Sequence, residues 1–111
     1  MSQHVPRRGD AVWLDFSPQS GREQAGRRPA FVVSPEAYNR KVGLFVVCPI
    51  TNQQKGYPFE VKIPDDFGVS GVVLSDQIKS LDWRIRNASL ICQLPQDVTQ
   101  EVLQKIYTLL E

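Results

Sequence analysis

Residues 10–17 read Asp-Ala-Val-Trp-Leu-Asp-Phe-Ser, and this stretch decides the class of fold. One face of an extended chain would carry Val12, Leu14 and Phe16. The other face would carry Trp13 and Asp15. Apolar and polar side chains that alternate with a period of two are typical of a β-strand with one buried face. The sequence therefore predicts a half-buried strand here.

Further strands are predicted along most of the chain. Apolar or alternating runs, separated by Gly, Pro and polar residues, lie at 29–33, 44–49, 59–63, 71–75, 81–87 and 90–94. The first of these runs is apolar throughout, which indicates burial on both faces. Between the first two runs, residues 35–41 are predicted to form a short helical turn, with Ser34 as its cap and Pro35 at its first position.

The period of the sequence changes near its end. Val98, Val102 and Ile106 recur at intervals of four, which predicts a helix over residues 97–110 with Asp97 as its cap. Many short strands followed by one helix favour a mainly β fold, a small antiparallel barrel with the helix packed against it.

The size and composition of the chain limit its class. A chain of 111 residues has room for one domain, so we expect residues 1–111 to form a single unit. It contains no apolar run near the ~20 residues of a membrane span. No apolar stretch follows the basic N-terminal residues, so we expect no signal peptide and a cytoplasmic location. Cys48 and Cys92 lie within apolar runs and are predicted to be core residues rather than zinc ligands.

Two polar loops could carry chemistry, at residues 17–28 and 51–57. The net charge is only +1, yet residues 1–41 hold seven Lys or Arg against four Asp or Glu. Arg28 and Thr51 each mark the junction between a polar loop and an apolar strand. A guanidinium can bind a phosphate through two parallel hydrogen bonds, and a Thr hydroxyl can bind a further oxygen. A surface ion pair and an ordinary turn explain the same residues, so both interpretations stay open on composition alone.

Several kinds of catalytic site are excluded or unsupported by the sequence. His4 is the single histidine, which excludes a two-histidine ribonuclease mechanism. The carboxylates are scattered, so no magnesium cluster is evident. The chain also lacks a Gly-rich phosphate loop before a helix and a Gly-x-Ser-x-Gly motif. We expect neither a metal nor another cofactor.

A resemblance to a known family favours the catalytic interpretation. The stretches that carry it are Gly21–Ala30 (Gly-Arg-Glu-Gln-Ala-Gly-Arg-Arg-Pro-Ala), Cys48–Gln53 (Cys-Pro-Ile-Thr-Asn-Gln), Lys55–Phe59 (Lys-Gly-Tyr-Pro-Phe) and Ser75–Ser80 (Ser-Asp-Gln-Ile-Lys-Ser). In this order they resemble the MazF/PemK endoribonuclease toxins of type II toxin–antitoxin systems, over residues 5–110. The resemblance implies an SH3-like barrel of the CcdB/MazF type, a homodimer, cleavage of single-stranded mRNA and inhibition by an acidic, MazE-like antitoxin.

The resemblance also implies roles for individual residues. The catalytic arginine and threonine of the family fall on Arg28 and Thr51, and the acidic residue of the first loop falls on Glu23. The residues predicted to contact RNA are Phe16, Gln24, Arg27, Gln53, Lys55, Tyr57, Asp76, Gln77 and Lys79. Arg27 and the residues flanking Thr51 depart from the family pattern, which leaves the cleaved sequence unspecified.

Two alternatives remain beside this hypothesis. A CcdB-like gyrase poison would share the fold, but its action depends on a Trp-Gly-Ile-like tail, whereas this chain ends in an amphipathic helix. A catalytically inactive SH3-like binding module would not need Arg28 and Thr51 at the mouths of its loops.

Overall fold

The described part of the chain, residues 4–16 and 26–111 of the computed structural model, forms seven strands and two helices. The elements are β1 (Asp10–Asp15), β2 (Arg27–Val32), α1 (Glu36–Val42), β3 (Leu44–Thr51), β4 (Glu60–Lys62), β5 (Val72–Leu74), β6 (Lys79–Asp82), β7 (Ser89–Gln93) and α2 (Gln96–Leu110). All strand pairs are antiparallel. The predicted mainly β fold with a C-terminal helix is confirmed.

Strand β3 organises the sheet because it pairs with three other strands. One of its edges pairs with β2, as in Ala30 opposite Pro49. Its other edge is shared, since the first half pairs with β6 and the last two residues, Ile50 and Thr51, pair with β5. The path through the sheet is β4-β5-β3-β2-β1-β7, with β6 as a branch on β3.

The predicted closure of the barrel is wrong for the part of the chain that the structure describes. No pairing joins β4 to β7, the two ends of the path, so the sheet is open. Strands β4 and β5 have only three residues each, and β3 divides its outer edge between two partners. A continuous ladder therefore does not extend round to β7.

The two faces of the sheet form two cores. The helix-side core lies under α2, and its largest contributors include Phe31, Ile50, Ile63, Val102 and Ile106. The tryptophan-side core lies on the opposite face and comprises Val12, Leu14, Ala30, Val32, Phe45, Val47 and Trp83. Burial of β2 from both faces confirms the prediction made from its continuous apolar run.

The helix caps differ from the sequence prediction. Prolines occupy both N-cap positions, at Pro35 before α1 and at Pro95 before α2, and neither Ser34 nor Asp97 caps. The Ser34 hydroxyl is used elsewhere. It donates to Asn39 Oδ1 at 2.6 Å and accepts from the Val46 N–H at 2.8 Å, which fastens α1 to β3.

The sixth strand is displaced from its prediction. It covers Lys79–Asp82, and residues 83–87 form a turn in which Asn87 has a φ of 55°. Trp83, at the start of this turn, is 1% exposed, and its Nε1–H donates to the Asn39 carbonyl oxygen at 2.9 Å. Its burial explains why the apolar pattern extends beyond the strand.

Two further predictions concern the cysteines and the membrane. Cys48 is a buried free thiol, and burial, with a smaller contribution from the charge of Asp76, raises its pKa to about 12. Cys92 is a free thiol and only partly buried. Neither helix of the described chain has the length and apolar character needed to cross a membrane.

Candidate active site

A surface cleft of about 350 Å³ opens where β3, β4 and β5 meet. Its lining consists of Thr51, Gln53, Lys55, Tyr57, Glu60, Leu74, Asp76 and Gln77. The strand register brings several of these together. Thr51 pairs with Val72 and Glu60 pairs with Leu74, so Thr51, Leu74 and Glu60 project from the same face of the sheet. Six of the residues predicted for the site, spread over residues 51–77, therefore line one cleft.

Glu60 holds the polar loop that follows β3. Its Oε2 accepts a hydrogen bond from the Lys55 N–H at 2.8 Å, and its Oε1 accepts one from the Gly56 N–H at 3.0 Å. At the start of the loop, the Gln53 N–H donates to Thr51 Oγ1 at 3.1 Å. A carboxylate that accepts backbone N–H groups fixes the path of the chain. Glu60 thereby orients the loop side chains, and the sequence analysis missed it.

A hydrogen bond joins the two sides of the cleft. The Tyr57 hydroxyl donates to Asp76 Oδ1 at 2.7 Å. This bond, followed by burial and the negative charge of Asp76, raises the pKa of the Tyr57 phenol, because ionisation would remove the shared proton. Tyr57 therefore stays a neutral donor at physiological pH, with its ring placed at the cleft.

Arg28 projects from the same face of the sheet as Thr51. In the pairing of β2 with β3, Ala30 lies opposite Pro49. Arg28 lies two residues before Ala30, and Thr51 lies two residues after Pro49, which is the same end of this antiparallel pair. Strand alternation therefore directs both side chains to the face of Ala30 and Pro49. Arg28 is exposed, and among the described residues its guanidinium has no hydrogen-bond or ion-pair partner. It does not line the cleft itself but lies on the neighbouring strand.

Arg27 lies on the opposite face and binds the protein. Nη1 contacts Asp15 Oδ1 at 3.1 Å, whereas Nη2 donates to the Asn87 carbonyl oxygen at 2.7 Å and to Ser89 Oγ at 2.8 Å. A longer bond of 3.3 Å reaches the carbonyl oxygen of Trp13. The structure therefore places this predicted RNA contact in a network within the protein.

The remaining predicted site residues do not line the cleft. Phe16 is partly buried and packs against the tryptophan-side core. Lys79 is exposed on β6, where it pairs with Val47. Glu23 and Gln24 lie outside the described residues. Among those that are described, no three His, Cys, Asp or Glu side chains group as a metal site.

Gly71 is a second residue that the sequence analysis missed. It has a φ of 108°, and a Cβ at this position would lie 2.2 Å from the Thr51 carbonyl oxygen. Only glycine allows the backbone before β5 to approach Thr51 this closely. Its position directly before the apolar residues 72–74 is the signal that could have identified it.

Comparison with known proteins gives the family. Residues 7–110 match the family described as PemK-like, MazF-like toxin of type II toxin-antitoxin system. The chain belongs to this family. It is 44% identical to the endoribonuclease toxin MazF of Escherichia coli K12 over 110 residues, which cover 99% of this chain and 98% of that protein.

Solved structures of family members agree with the fold. MazF of Deinococcus radiodurans is similar with a TM-score of 0.87 and 55% identity, covering 97% of this chain and 98% of that one. A chain of the MazE-MazF complex of the same organism also gives a TM-score of 0.87, with 50% identity and coverage of 97% of each chain. The family predicted from the sequence motifs is therefore confirmed.

Gly71 offers a test of how Thr51 is positioned. We expect Gly71→Ala to destabilise the fold by about 2 kcal/mol or more, since it combines backbone strain with a collision against the Thr51 carbonyl. Gly43→Ala is the matched control, because Gly43 has a φ of 83° but nothing within 4 Å of its Cβ position. Urea unfolding of both variants measures the difference. Equal losses of stability would contradict the proposed role of the close approach.

Proposed function

We propose that this MazF-like toxin is a sequence-specific endoribonuclease that cleaves single-stranded mRNA without a metal ion. Its relatives in Escherichia coli are named endoribonucleases, which supports the class of activity. The single observation that carries the proposal is the cleft itself. It combines amide, carboxylate, ammonium and aromatic groups beside Thr51, with the guanidinium of Arg28 projecting from the same face.

The proposed reaction uses the nucleophile that RNA already contains. The 2′-oxygen forms a bond to phosphorus while the bond from phosphorus to the 5′-oxygen breaks. One proton leaves the 2′-hydroxyl, and another is delivered to the departing 5′-oxygen. The products are a 2′,3′-cyclic phosphate and a 5′-hydroxyl. Because the nucleophile is internal, the enzyme has to align it, neutralise the phosphate and transfer two protons.

Arg28 is assigned to the charge of the transition state. A guanidinium remains protonated in proteins at pH 7, so it stabilises the phosphorane rather than acting as a free base. Such a donor is typically worth ~3–4 kcal/mol. Thr51 orients the phosphate. Glu23 either accepts the 2′-proton or holds Arg28, and both roles are carried over from the family.

The cleft is assigned to recognition of the RNA bases. Splayed bases of single-stranded RNA stack on aromatic rings and are read at their edges. Tyr57 provides a ring, and Gln53, Asp76 and Gln77 provide groups for base edges, with Gln24 a further candidate outside the described residues. Lys55 and Lys79 are assigned to backbone phosphates. We assign no stacking role to Phe16, because its ring packs against the core.

A homodimer and an acidic antitoxin complete the proposal. Two-fold dimers are the commonest assembly of soluble proteins, and the family resemblance implies one here. An acidic, disordered antitoxin segment of the MazE type would fold onto the RNA-binding surface. Light scattering should give a dimer at micromolar concentration. An acidic antitoxin of the MazE type should compete with RNA for this protein. A fully active monomer would contradict the predicted homodimer. A ternary complex of toxin, antitoxin and RNA would contradict the predicted competition. The cytoplasmic location stays a prediction.

Independence from metal gives the first test of the reaction. Purified protein should cleave long RNA in the presence of EDTA and leave 2′,3′-cyclic phosphate and 5′-hydroxyl ends, identifiable by mass spectrometry of the fragments. A metal-dependent nuclease serves as the control for chelation. Cleavage that requires added magnesium would exclude the mechanism. Inhibition of DNA gyrase by the purified protein, without cleavage of RNA, would instead favour the CcdB-like alternative.

Substitutions at Arg28 test the assignment of roles. Arg28→Ala should lower kcat by ~10²–10³ and leave RNA binding nearly unchanged, since the contact is made to the transition state. Arg28→Lys keeps the charge but loses the planar fork, so it should remain slow. Lys55→Ala should instead weaken binding and reduce its salt dependence. If Arg28→Ala cleaves at the native rate, the reaction centre lies elsewhere.

A further inference from the structure

Arg27, the first residue of β2, links three strands. In the pairing of β1 with β2, Arg27 lies opposite Asp15, the last residue of β1. From there the guanidinium crosses β1 and reaches Ser89, the first residue of β7, and the Asn87 carbonyl oxygen in the turn before it. One side chain on β2 is therefore bonded to both strands that lie beyond it in the sheet.

Asp15 is held from a second direction, which makes the link rigid. Its Oδ2 accepts a hydrogen bond from Asn87 Nδ2 at 2.9 Å, while Oδ1 receives Arg27. The hydrogen bond from Asn87, with the nearby charge of Arg27, lowers the pKa of the Asp15 carboxyl, so it is ionised at neutral pH. Arg86 Nη1 also donates to the carbonyl oxygens of Asp15 and Phe16. The end of β1 is thus held by the side chains of Arg27, Asn87 and Arg86.

Arg28 follows Arg27 directly and projects from the opposite face. Consecutive residues of a strand share one peptide plane, so a restraint on the side chain of the first limits the backbone of the second. The pair of Asp15 with Arg27 is the last pair between β1 and β2, where a strand end would otherwise fray. Nothing in the described residues holds the guanidinium of Arg28 directly.

From this geometry we infer that Arg27 is a positioning residue for Arg28, held by Asp15, Asn87 and Ser89, and does not itself bind RNA. The inference rests on the proposed function, in which Arg28 stabilises the transition state. A displacement of ~1 Å at a catalytic group can cost ~10²-fold in rate. Bonds from Arg27 to β1, to β7 and to the turn before β7 restrain the backbone from which the exposed Arg28 projects.

The two roles of Arg27 predict opposite kinetics. As a positioning residue, Arg27→Ala should lower kcat by ~10–10²-fold and leave KM and its salt dependence at native values. If Arg27 instead contacts a phosphate, Arg27→Ala should raise KM and leave kcat unchanged. The slope of log KM against log salt concentration should then decrease by ~0.7. Arg27→Lys separates them again, because one ammonium satisfies a phosphate but cannot replace four donated bonds. Arg40→Ala, which removes an exposed arginine paired with Glu36 on α1, is the control.

Asp15→Asn is the second variant, and it decides the matter if Arg27→Ala does not fold. It removes the negative charge of Asp15 and so weakens the ion pair with Arg27. A positioning role predicts a lower kcat. An RNA contact predicts an equal or lower KM with native kcat, because the guanidinium would be released toward phosphate.

A double-mutant cycle excludes a merely structural loss. If Arg27 acts through Arg28, Arg27→Ala combined with Arg28→Ala should be no slower than Arg28→Ala alone. Additive losses would overturn the inference. A native rate for Arg27→Ala beside a slow Arg28→Ala would overturn this inference and leave the proposed function intact. A native rate for Arg28→Ala would remove both.

Discussion

The outer edge of β3 is divided between β6 and β5, and this division determines where the sheet branches and where the cleft opens. A strand has one hydrogen-bonding row on each edge, and on one edge β3 pairs with β2 at Val47, Cys48 and Pro49. The other row goes to β6 in the first half and to β5 at Ile50 and Thr51. The sheet must therefore branch at this point. The cleft opens beside the branch, since β4 and β5 diverge there from the strands that form the main sheet.

Register has an equally direct consequence for the candidate chemistry. Arg27 and Arg28 are adjacent and chemically identical, yet the sheet gives them different environments. Arg27 projects beside Asp15 and is bonded to protein, whereas Arg28 projects beside the row that ends at Thr51. A slip of one residue would exchange them, because strand side chains alternate between faces. The burial of Ala30 and Val32 in one core and of Phe31 in the other fixes the register against such a slip.

The sequence was informative where a pattern depends on near neighbours along the chain. Alternation in β1 and the four-residue spacing of Val98, Val102 and Ile106 identified a half-buried strand and the terminal helix, because burial repeats with the geometry of each element. Whether the barrel closes could not be predicted from the sequence, because closure depends on the lengths of β4 and β5 and on which strand each of them pairs with. The Ser34 cap was mispredicted because its hydroxyl binds Asn39 in α1 and the Val46 N–H in β3, and the second contact lies beyond the local sequence pattern.

The same reasoning applies to the candidate site. Thr51, Gln53, Lys55, Tyr57, Asp76 and Gln77 were identified by residue type, family motif and position at strand ends, and the cleft brings them together. Glu60 and Gly71 were missed because they act on the backbone. Glu60 accepts two N–H groups of a loop, and Gly71 admits a carbonyl oxygen, so neither displays an expected functional group at a conspicuous position.

The cleft that we propose to bind RNA contains two carboxylates, and the chain as a whole has a net charge of only +1. Both carboxylates are engaged with protein donors, Asp76 with the Tyr57 hydroxyl and Glu60 with two backbone N–H groups. Hydrogen bonds of this kind stabilise the two carboxylates without removing their charge, and Lys55 is the one cation of the lining. A nearly neutral protein cannot attract a polyanion through its overall field. On the proposed function, binding then depends mainly on short-range contacts in the cleft, which are sensitive to the identity and arrangement of the bases. The proposed selectivity for sequence is therefore compatible with the modest net charge of the chain.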